Sequence, residues 1–282
     1  MDVETQLYYL YIGNLDSYNG ATKHALGFAA SIADAGIPVR FFCGRNDLQF
    51  TARNLMFEQL SPPIPNNTLR LALRLSQRYL RELSRTKQNA ILYHRVHYLG
   101  LAALLATKVF GLPLVAELNG MPEFVEIEFG PISNLPTALR WRVGIATWIL
   151  KIQVHLIMKL ASAIFVNNPE AKTYLVGSRR VPPGKVYIVP IGYDPQVAFP
   201  RDMAECRRIL GLPMDKRIFI HTGSLLSYKG TDVIVEAFSR LSNRNNNLLI
   251  FVGSGNYELR LKKRVMDKGL QGSVYFVGER PF

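Results

Sequence analysis

The sequence predicts an α/β protein whose strands pair mostly in parallel. Short apolar segments typical of buried strands alternate with longer segments whose apolar residues recur three and four positions apart. This alternation pauses at residues 191–202, a segment rich in proline and glycine, and then starts again. Parallel strands need a crossover connection, which the helical segments supply each time. We therefore predict two α/β domains, residues 1–195 and 201–282.

In the first domain the predicted strands are rich in aromatic and aliphatic residues and mostly end near glycine, proline or asparagine. They read LYYLYIG (7–13), IPVRFFCG (37–44), AILYHRV (90–96), LPLVAELNG (112–120), AIFVNN (163–168) and VYIVPIGYD (186–194). The segments between them have the apolar spacing of helices that cover a sheet. These helices are predicted to end at Gly36 and to lie within residues 67–83, 98–111, 137–162 and 170–177.

The second domain repeats this pattern over fewer residues. Its predicted strands are KRIFIHTGS (216–224), NLLIFVGSG (247–255) and SVYFVGE (273–279), and its predicted helices are GTDVIVEAFSRLSN (230–243) and YELRLKKRVMDKG (257–269). Because an α/β domain usually has about 100 to 150 residues, we expect the second domain to be incomplete.

The chain is strongly basic, with a formal net charge of +13 at pH 7 and an isoelectric point near 9.8. Such a surplus attracts anions, which include phosphate-bearing substrates and anionic lipid. We exclude nucleic acid, because the charge is spread along the chain and the sequence has no recognised nucleic-acid motif. The two cysteines, Cys43 and Cys206, are far apart in sequence and suggest neither a metal site nor a disulfide scaffold.

The sequence also predicts where the protein resides. Its polar start has no signal-peptide pattern, and no apolar run approaches the roughly 20 residues that span a bilayer. We therefore expect a cytoplasmic protein. The helical segment 137–162 carries Arg140, Lys151, His155 and Lys159 among large apolar residues. This segment either rests on anionic lipid at the inner face of a membrane or is an ordinary helix that covers the sheet.

Glycines follow three predicted strands, at the positions where open parallel sheets bind ligands. Helix N-termini attract anions, and glycine lets a phosphate approach the backbone closely. Lys229 adds a positive charge just before a helix, which suits a diphosphate. An ordinary turn or a solvated lysine explains each loop alone, but together the loops predict one ligand cleft between the domains. Its residues are Gly20, Gly223, Lys229, Gly253 and Gly255.

Four motifs follow one another along the chain: ASAIFVNNPEAKTYLV (161–176), VPPGKVYIVPIGYD (181–194), HTGSLLSYKGTDVIVEAFSRL (221–241) and LLIFVGSGNYELRLKKRVMDKGLQGSVYFVGERP (248–281). Their order resembles that of the family 4 glycosyltransferases, most closely from Ala161 onward. The resemblance implies the GT-B fold, in which two Rossmann-like domains face each other across a cleft. It implies transfer, with retention of configuration, from a nucleotide-diphosphate sugar to a saccharide or lipid-linked acceptor, without a metal or a further cofactor.

The resemblance also implies roles for individual residues. An arginine and a lysine of the family pattern bind the donor pyrophosphate; here Lys229 matches the lysine and Ser224 stands at the arginine position. Many members carry a histidine near the reacting sugar where this chain has Asn119, with Glu117 two residues earlier. Asparagine binds a sugar hydroxyl but is no general base near neutral pH. We therefore assign Asn119 and Glu117 to the catalytic region, and the donor phosphate is expected to assist the reaction.

Members of the family continue with a further half-domain that carries two glutamates seven residues apart. We therefore expect this chain to be a fragment with little activity alone, or to be completed by another chain. A non-catalytic partner or saccharide-binding subunit of a glycosyltransferase is the alternative. A nicotinamide-dependent oxidoreductase is disfavoured, because GSGNYE has Glu258 where the dinucleotide fingerprint requires its third glycine.

Two further polar clusters have competing interpretations. HRVH (94–97) follows a strand, but no acidic residue or cysteine is placed to complete a metal site. Its residues therefore contact an acceptor or face solvent. Glu123, Glu126 and Glu128 form either a surface charge cluster or part of an acceptor loop. Paired carboxylates would also suit glycoside hydrolysis.

Overall fold

The structure is a computed structural model that describes residues 5–16, 20–64, 69–85, 89–96, 101–119, 137–193, 195, 198–242 and 246–280. The contacts within it divide the chain into two units, Met1–Tyr193 and Asp194–Phe282. Glu123, Glu126, Glu128 and His97, which the sequence singled out, lie outside the described residues.

The first unit contains a seven-stranded parallel sheet with the strand order β3-β2-β1-β4-β5-β6-β7. The strands are β1 (Gln6–Leu10), β2 (Val39–Cys43), β3 (Leu55–Gln59), β4 (Ala90–Arg95), β5 (Leu114–Leu118), β6 (Ala163–Val166) and β7 (Val186–Ile188). Six of them were predicted, and their parallel pairing confirms the expected α/β class. The strand β3 was missed because this short edge strand is only partly buried and its sequence, LMFEQ, has just three consecutive apolar residues before two polar ones.

Helices cover both faces of this sheet. They are α1 (Gly20–Asp34), α2 (Leu69–Arg85), α3 (Leu101–Phe110), α4 (Thr137–Leu160) and α5 (Pro169–Gly177). Successive strand residues point to opposite faces, so β1 contributes to two clusters of buried side chains. Tyr9 lies in the same cluster as Ala25 and Leu26 of α1. Tyr8 lies in the other cluster, which includes side chains of α2, α3, α4 and α5. The helix α1 therefore covers one face, and α2 to α5 cover the other.

The helix α4 is unusually apolar on the outside. The segment Val143–Leu160 is long and apolar enough to cross a membrane, judged by length and composition alone. Its mean hydropathy is 1.4, and only 22% of the segment is buried. The expectation that no apolar run approaches the length of a membrane span is therefore wrong here. Lys151 and Lys159 interrupt the apolar run in the sequence, but the mean hydropathy over the segment stays high.

The second unit contains a three-stranded parallel sheet in the order β10-β9-β8. Its elements are α6 (Met203–Ile209), β8 (Arg217–Thr222), α7 (Thr231–Ser239), β9 (Asn247–Val252), α8 (Glu258–Asp267) and β10 (Val274–Phe276). The central strand β9 is buried and packs with α7 and α8 in one apolar cluster. The helix α6 was not predicted, because its seven residues span less than two full helical turns and show no clear apolar period.

Candidate functional site

The carboxyl edge of the first sheet is the natural place for a ligand. The order of the strands reverses between β1 and β4, and ligands of open parallel sheets bind outside the strand ends at such a switch point. The helix α1 begins there at Gly20, and β4 ends there at Arg95. The neighbouring β5 carries Glu117 near its carboxyl end and is followed by Asn119.

Glu117 is the centre of a hydrogen-bonded cluster at this edge. Its side chain is nearly buried, with 4% of the residue exposed. The carboxylate accepts hydrogen bonds from His24 Nε2 at 2.6 Å and from the Tyr93 hydroxyl at 2.7 Å. The Asn119 amide also donates to it. The guanidinium of Arg95 approaches to 3.8 Å and donates to the backbone carbonyl of Ala21 at 2.7 Å.

These contacts keep Glu117 ionised. Burial opposes the charged form, but the hydrogen bonds from His24, Tyr93 and Asn119 outweigh it, so the pKa of Glu117 lies below its ordinary value. Burial and the neighbouring Tyr9 and Glu117 raise the pKa of Tyr93 far above its ordinary value, so this hydroxyl remains a donor. A carboxylate held in this way orients its partners and is a poor proton donor near neutral pH.

Asn119 is the exposed member of the cluster. Its Nδ2 donates to Glu117, which fixes the amide plane and directs the Oδ1 atom to the opposite side of the group. A small recess of about 10 Å³, roughly the room of one water molecule, lies beneath it between His24, Phe28, Phe165 and their neighbours. This recess is too small for more than a water molecule, so Asn119 is the part of the cluster that a larger ligand could reach.

His24 and Tyr93 were missed by the sequence reasoning. Both lie in segments that were predicted, but they are distant in sequence from Glu117, and only the fold brings them together. The spacing of His24 after Gly20, on the first turns of α1, is the one signal that could have suggested it. His94, by contrast, is fully buried and shares a hydrogen bond with Gln153 at 3.2 Å. The expectation that His94 contacts an acceptor or faces solvent is therefore wrong.

In the second unit, the loop between β8 and α7 has a backbone that only glycine adopts easily. Gly223 has a φ of 136° directly after β8, and Gly230 has a φ of 70° directly before α7. A single turn of 3₁₀ helix, Ser227–Lys229, lies between them. Lys229 is exposed, with its ammonium group 5.3 Å from the centroid of the Tyr228 ring. Ser224 is also exposed in this loop.

Gly253 and Gly255 have a packing role. A Cβ atom on Gly253 would lie 2.1 Å from the carbonyl oxygen of Gly223, and one on Gly255 would lie 2.2 Å from that of Leu225. Two backbone hydrogen bonds join the loop after β8 to the end of β9 and the loop that follows it. The Gly223 N–H donates to the Val252 carbonyl at 2.9 Å, and the Leu225 N–H donates to the Ser254 carbonyl at 2.8 Å. The second loop therefore fixes the shape of the first, which is sufficient reason for both glycines.

Two buried polar atoms flank the loop. Among the described residues, neither His221 Nε2 nor the Thr231 hydroxyl has a hydrogen-bond partner. Burial and the nearby ammonium of Lys229 lower the pKa of His221, so its ring is neutral near pH 7. An unpaired buried polar group costs about 1–3 kcal/mol.

Metal binding finds no support in the described ranges, which contain no group of three histidine, cysteine or acidic side chains able to hold an ion.

The predicted site residues fall into two groups. Gly20, Glu117 and Asn119 lie at the carboxyl edge of the first sheet, and the others lie in the two loops of the second unit.

Proteins of known sequence are similar over much or part of the chain. A D-inositol 3-phosphate glycosyltransferase of Acidothermus cellulolyticus is 25% identical in an alignment of 285 positions. The alignment covers 93% of this chain and 61% of that protein. The enzyme of the same name from Stackebrandtia nassauensis is 37% identical over 103 residues, which cover 34% of this chain and 23% of that protein. The chain thus spans less than two thirds of the length of these relatives.

Solved structures share the fold. Sucrose-phosphate synthase from Thermosynechococcus elongatus has a TM-score of 0.74 at 18% identity, over 98% of this chain and 71% of that one. HepE from Anabaena in complex with UDP-glucose has a TM-score of 0.66 at 16% identity, over 99% of this chain and 70% of the HepE chain. WaaG, a glycosyltransferase of lipopolysaccharide biosynthesis, has a TM-score of 0.66 at 17% identity, over 97% of this chain and 70% of the WaaG chain. The fold is therefore the Rossmann-like GT-B fold.

Two family models match the chain one after the other. The model of Glycosyl transferases group 1 matches residues 202–281, which fall in the second unit. The model of Glycosyltransferase Family 4 matches residues 18–197, which is more than half of the chain. The chain belongs to Glycosyltransferase Family 4.

Proposed function

We propose that this protein transfers a sugar from a nucleotide-diphosphate sugar to a saccharide or lipid-linked acceptor, with retention of anomeric configuration. The observation that carries the proposal is the match of two glycosyltransferase family models, in order, to residues 18–197 and 202–281. The related structure of HepE, solved with UDP-glucose, supports a nucleotide sugar as the donor. The net charge of +13 suits a phosphate-bearing substrate.

The donor diphosphate binds at the loop between β8 and α7. Lys229 supplies a positive charge, and the first turn of α7 supplies free backbone N–H groups and the positive end of the helix dipole. Ser224 donates a single hydroxyl hydrogen bond, so it replaces only part of an arginine. Gly253 and Gly255 act indirectly, because they hold Gly223 and Leu225 in place.

The cluster around Glu117 orients the transferred sugar. Asn119 hydrogen-bonds a sugar hydroxyl, and the Glu117 carboxylate fixes the Asn119 amide and the His24 ring. The acceptor oxygen attacks the anomeric carbon on the face that the diphosphate leaves. The bond between that carbon and the phosphate oxygen breaks with its electron pair on the diphosphate, which takes the acceptor proton. The site then needs no side-chain base, in keeping with the low pKa of Glu117.

We place this activity in the cytoplasm, with peripheral contact to an anionic membrane. A lipid-linked acceptor is reached only where the enzyme meets the bilayer. The outward face of α4, which combines exposed tryptophans with lysines, supports such contact.

Calorimetric titration with UDP-glucose and with GDP-mannose tests the donor site. We expect Lys229→Ala to weaken donor binding by about 1.5–3 kcal/mol, the range for a charge-assisted hydrogen bond. Lys263→Ala is the matched control, because Lys263 is an exposed lysine on α8. Unchanged affinity in Lys229→Ala would refute the assignment. In the complete enzyme, transfer of labelled sugar to saccharide or lipid fractions should be reduced by Lys229→Ala and retained in Lys263→Ala, which tests the reaction itself.

A further inference from the structure

Three neighbouring helices of the first unit present an outer surface that is both apolar and cationic. The helix α3 packs against α2 on one side and α4 on the other, so their solvent-facing sides adjoin. We call this surface the α2–α4 face. It includes the exposed side chains of Arg70, Leu73, Arg74, Arg81, Arg85, Leu101, Leu105, Lys108, Val109, Trp141, Ile145, Trp148, Lys151, Ile152, His155 and Lys159.

The apolar part of the α2–α4 face follows the helical period. Trp141, Ile145, Trp148 and Ile152 recur at intervals of four, three and four residues, which places them on one stripe of α4. The tryptophans are 70% and 64% exposed. On α3, exposed apolar side chains recur every four residues from Leu101. Large exposed apolar patches bounded by polar residues mark interaction surfaces.

The charge of these helices selects the partner. Together α2, α3 and α4 carry ten lysines and arginines but one carboxylate, Glu82. Glu82 is engaged by Arg40 at 3.1 Å and by Arg85 at 3.4 Å. Tryptophan prefers the boundary between lipid and water, and clustered lysines and arginines bind anionic headgroups. An anionic bilayer offers both features over a broad area.

The position of α4 places this face beside the candidate site. Gln153 of α4 hydrogen-bonds His94, the residue before the last of β4, so residue 153 lies level with the carboxyl edge of the sheet. As a crossover between parallel strands, α4 runs opposite to them. Its residues 137–152 therefore extend past that edge, by about 18 Å at Trp141 with a rise of 1.5 Å per residue. The same edge carries Glu117 and Asn119.

We propose that the α2–α4 face docks on an anionic lipid bilayer, with the tryptophans of α4 at the headgroup boundary and the arginines of α2 on the headgroups. This inference rests on the proposed function only in that it brings a lipid-linked acceptor to the edge that bears Asn119. It extends the predicted lipid contact of α4 to two further helices, and it assigns the overhanging half of α4 as the part that enters the interface.

The only two tryptophans of the chain, Trp141 and Trp148, both lie on this face, so their fluorescence reports on it directly. Vesicles of phosphatidylcholine with phosphatidylglycerol are expected to shift the emission to shorter wavelength, and brominated lipid is expected to quench it. Vesicles of phosphatidylcholine alone should have a much smaller effect. No shift and no quenching with the anionic vesicles at low salt would overturn the proposal.

Co-sedimentation with the same vesicles separates the contributions. We expect Trp141→Ala/Trp148→Ala to reduce binding about tenfold or more, because two large interfacial side chains are removed. Arg70→Gln/Arg74→Gln should reduce it severalfold and flatten its salt dependence. The control Arg208→Gln/Lys263→Gln removes the same charge from exposed positions of the second unit and should reduce binding less. Equal losses in control and test variants would contradict the assignment.

Further measurements distinguish other outcomes. Donor titration of the same preparations tests the proposed function separately. Donor binding without vesicle binding would overturn only the membrane proposal. Vesicle binding without donor binding would overturn only the proposed donor site. A lipid-free dimer that is lost in Trp141→Ala/Trp148→Ala would show that a second copy covers this face, and would also overturn the membrane proposal. Unchanged circular dichroism and melting would show that the variants fold.

Discussion

Replacement of Glu117 by glutamine tests the cluster at the first sheet edge through its stability. The carboxylate accepts hydrogen bonds from three side chains, His24 at 2.6 Å, Tyr93 at 2.7 Å and Asn119. Glutamine has nearly the same shape, but one of its two terminal groups is an amide donor. At least one of the three donors would then face another donor, inside a site where the residue is only 4% exposed.

The expected loss is about 2 kcal/mol in the free energy of unfolding. A hydrogen bond to a charged group contributes about 1.5–3 kcal/mol, and an unpaired buried donor costs about 1–3 kcal/mol. Part of this loss is offset, because the neutral side chain no longer requires a buried charge. Glu170→Gln is a control, since Glu170 is an exposed carboxylate in the same unit and its replacement should change the stability by about 0.5 kcal/mol or less.

The loss should depend on pH. Because the folded-state pKa of Glu117 is lowered, its stabilising contribution is fully present above the unfolded pKa of about 4.3 and is lost as pH falls through the folded pKa. Urea unfolding followed by circular dichroism should therefore show a constant difference between wild type and Glu117→Gln near neutral pH. That difference should shrink in acid. Equal stability at pH 7, or a difference that persists unchanged in acid, would refute this reasoning.

Two further substitutions and one labelling experiment have defined outcomes. Gly253→Ala should destabilise the second unit by about 2 kcal/mol or more in urea, since its Cβ would lie 2.1 Å from a carbonyl oxygen, whereas Gly272→Ala meets no atom within 4 Å and should have little effect. Tyr93→Phe removes a hydroxyl that donates to a buried carboxylate and should lower the stability by about 1.5–3 kcal/mol in the same measurement. Burial raises the pKa of Cys43 to about 12, so iodoacetamide should label Cys206 first in the native protein, as judged by peptide mass spectrometry; faster labelling of Cys43 would contradict its placement.

The α/β fold was predictable because its strands and helices have different apolar periods. The central strands β1 and β4 are nearly continuous apolar runs, as expected for parallel strands covered on both faces. The edge strand β3 was missed because it is partly buried and has only three consecutive apolar residues, which is too short a run to give such a signal. For α4, the linear sequence showed the lysines that interrupt it, but the overhang of its first half depends on the contact of Gln153 with β4.

The candidate site was predictable only in part. Glu117 lies near the end of a recognisable strand and Asn119 follows it, but it was the resemblance to family 4 glycosyltransferases that singled them out. His24 and Tyr93 reach the same carboxylate from other elements, and no local pattern encodes such a contact. For Gly253, the sequence shows a glycine between a strand and a helix, but it does not distinguish contact with a ligand from contact with a neighbouring loop.

Hydrogen–deuterium exchange on addition of a nucleoside diphosphate tests the central claim most directly. UDP, GDP and ADP are each added, because all three share the diphosphate that the loop between β8 and α7 is proposed to bind. At least one of them should slow the exchange of backbone amides in residues 223–233 and leave those in the middle of α8 unchanged. If none of the three protects residues 223–233, or if protection appears only elsewhere in the chain, the proposed donor site is wrong.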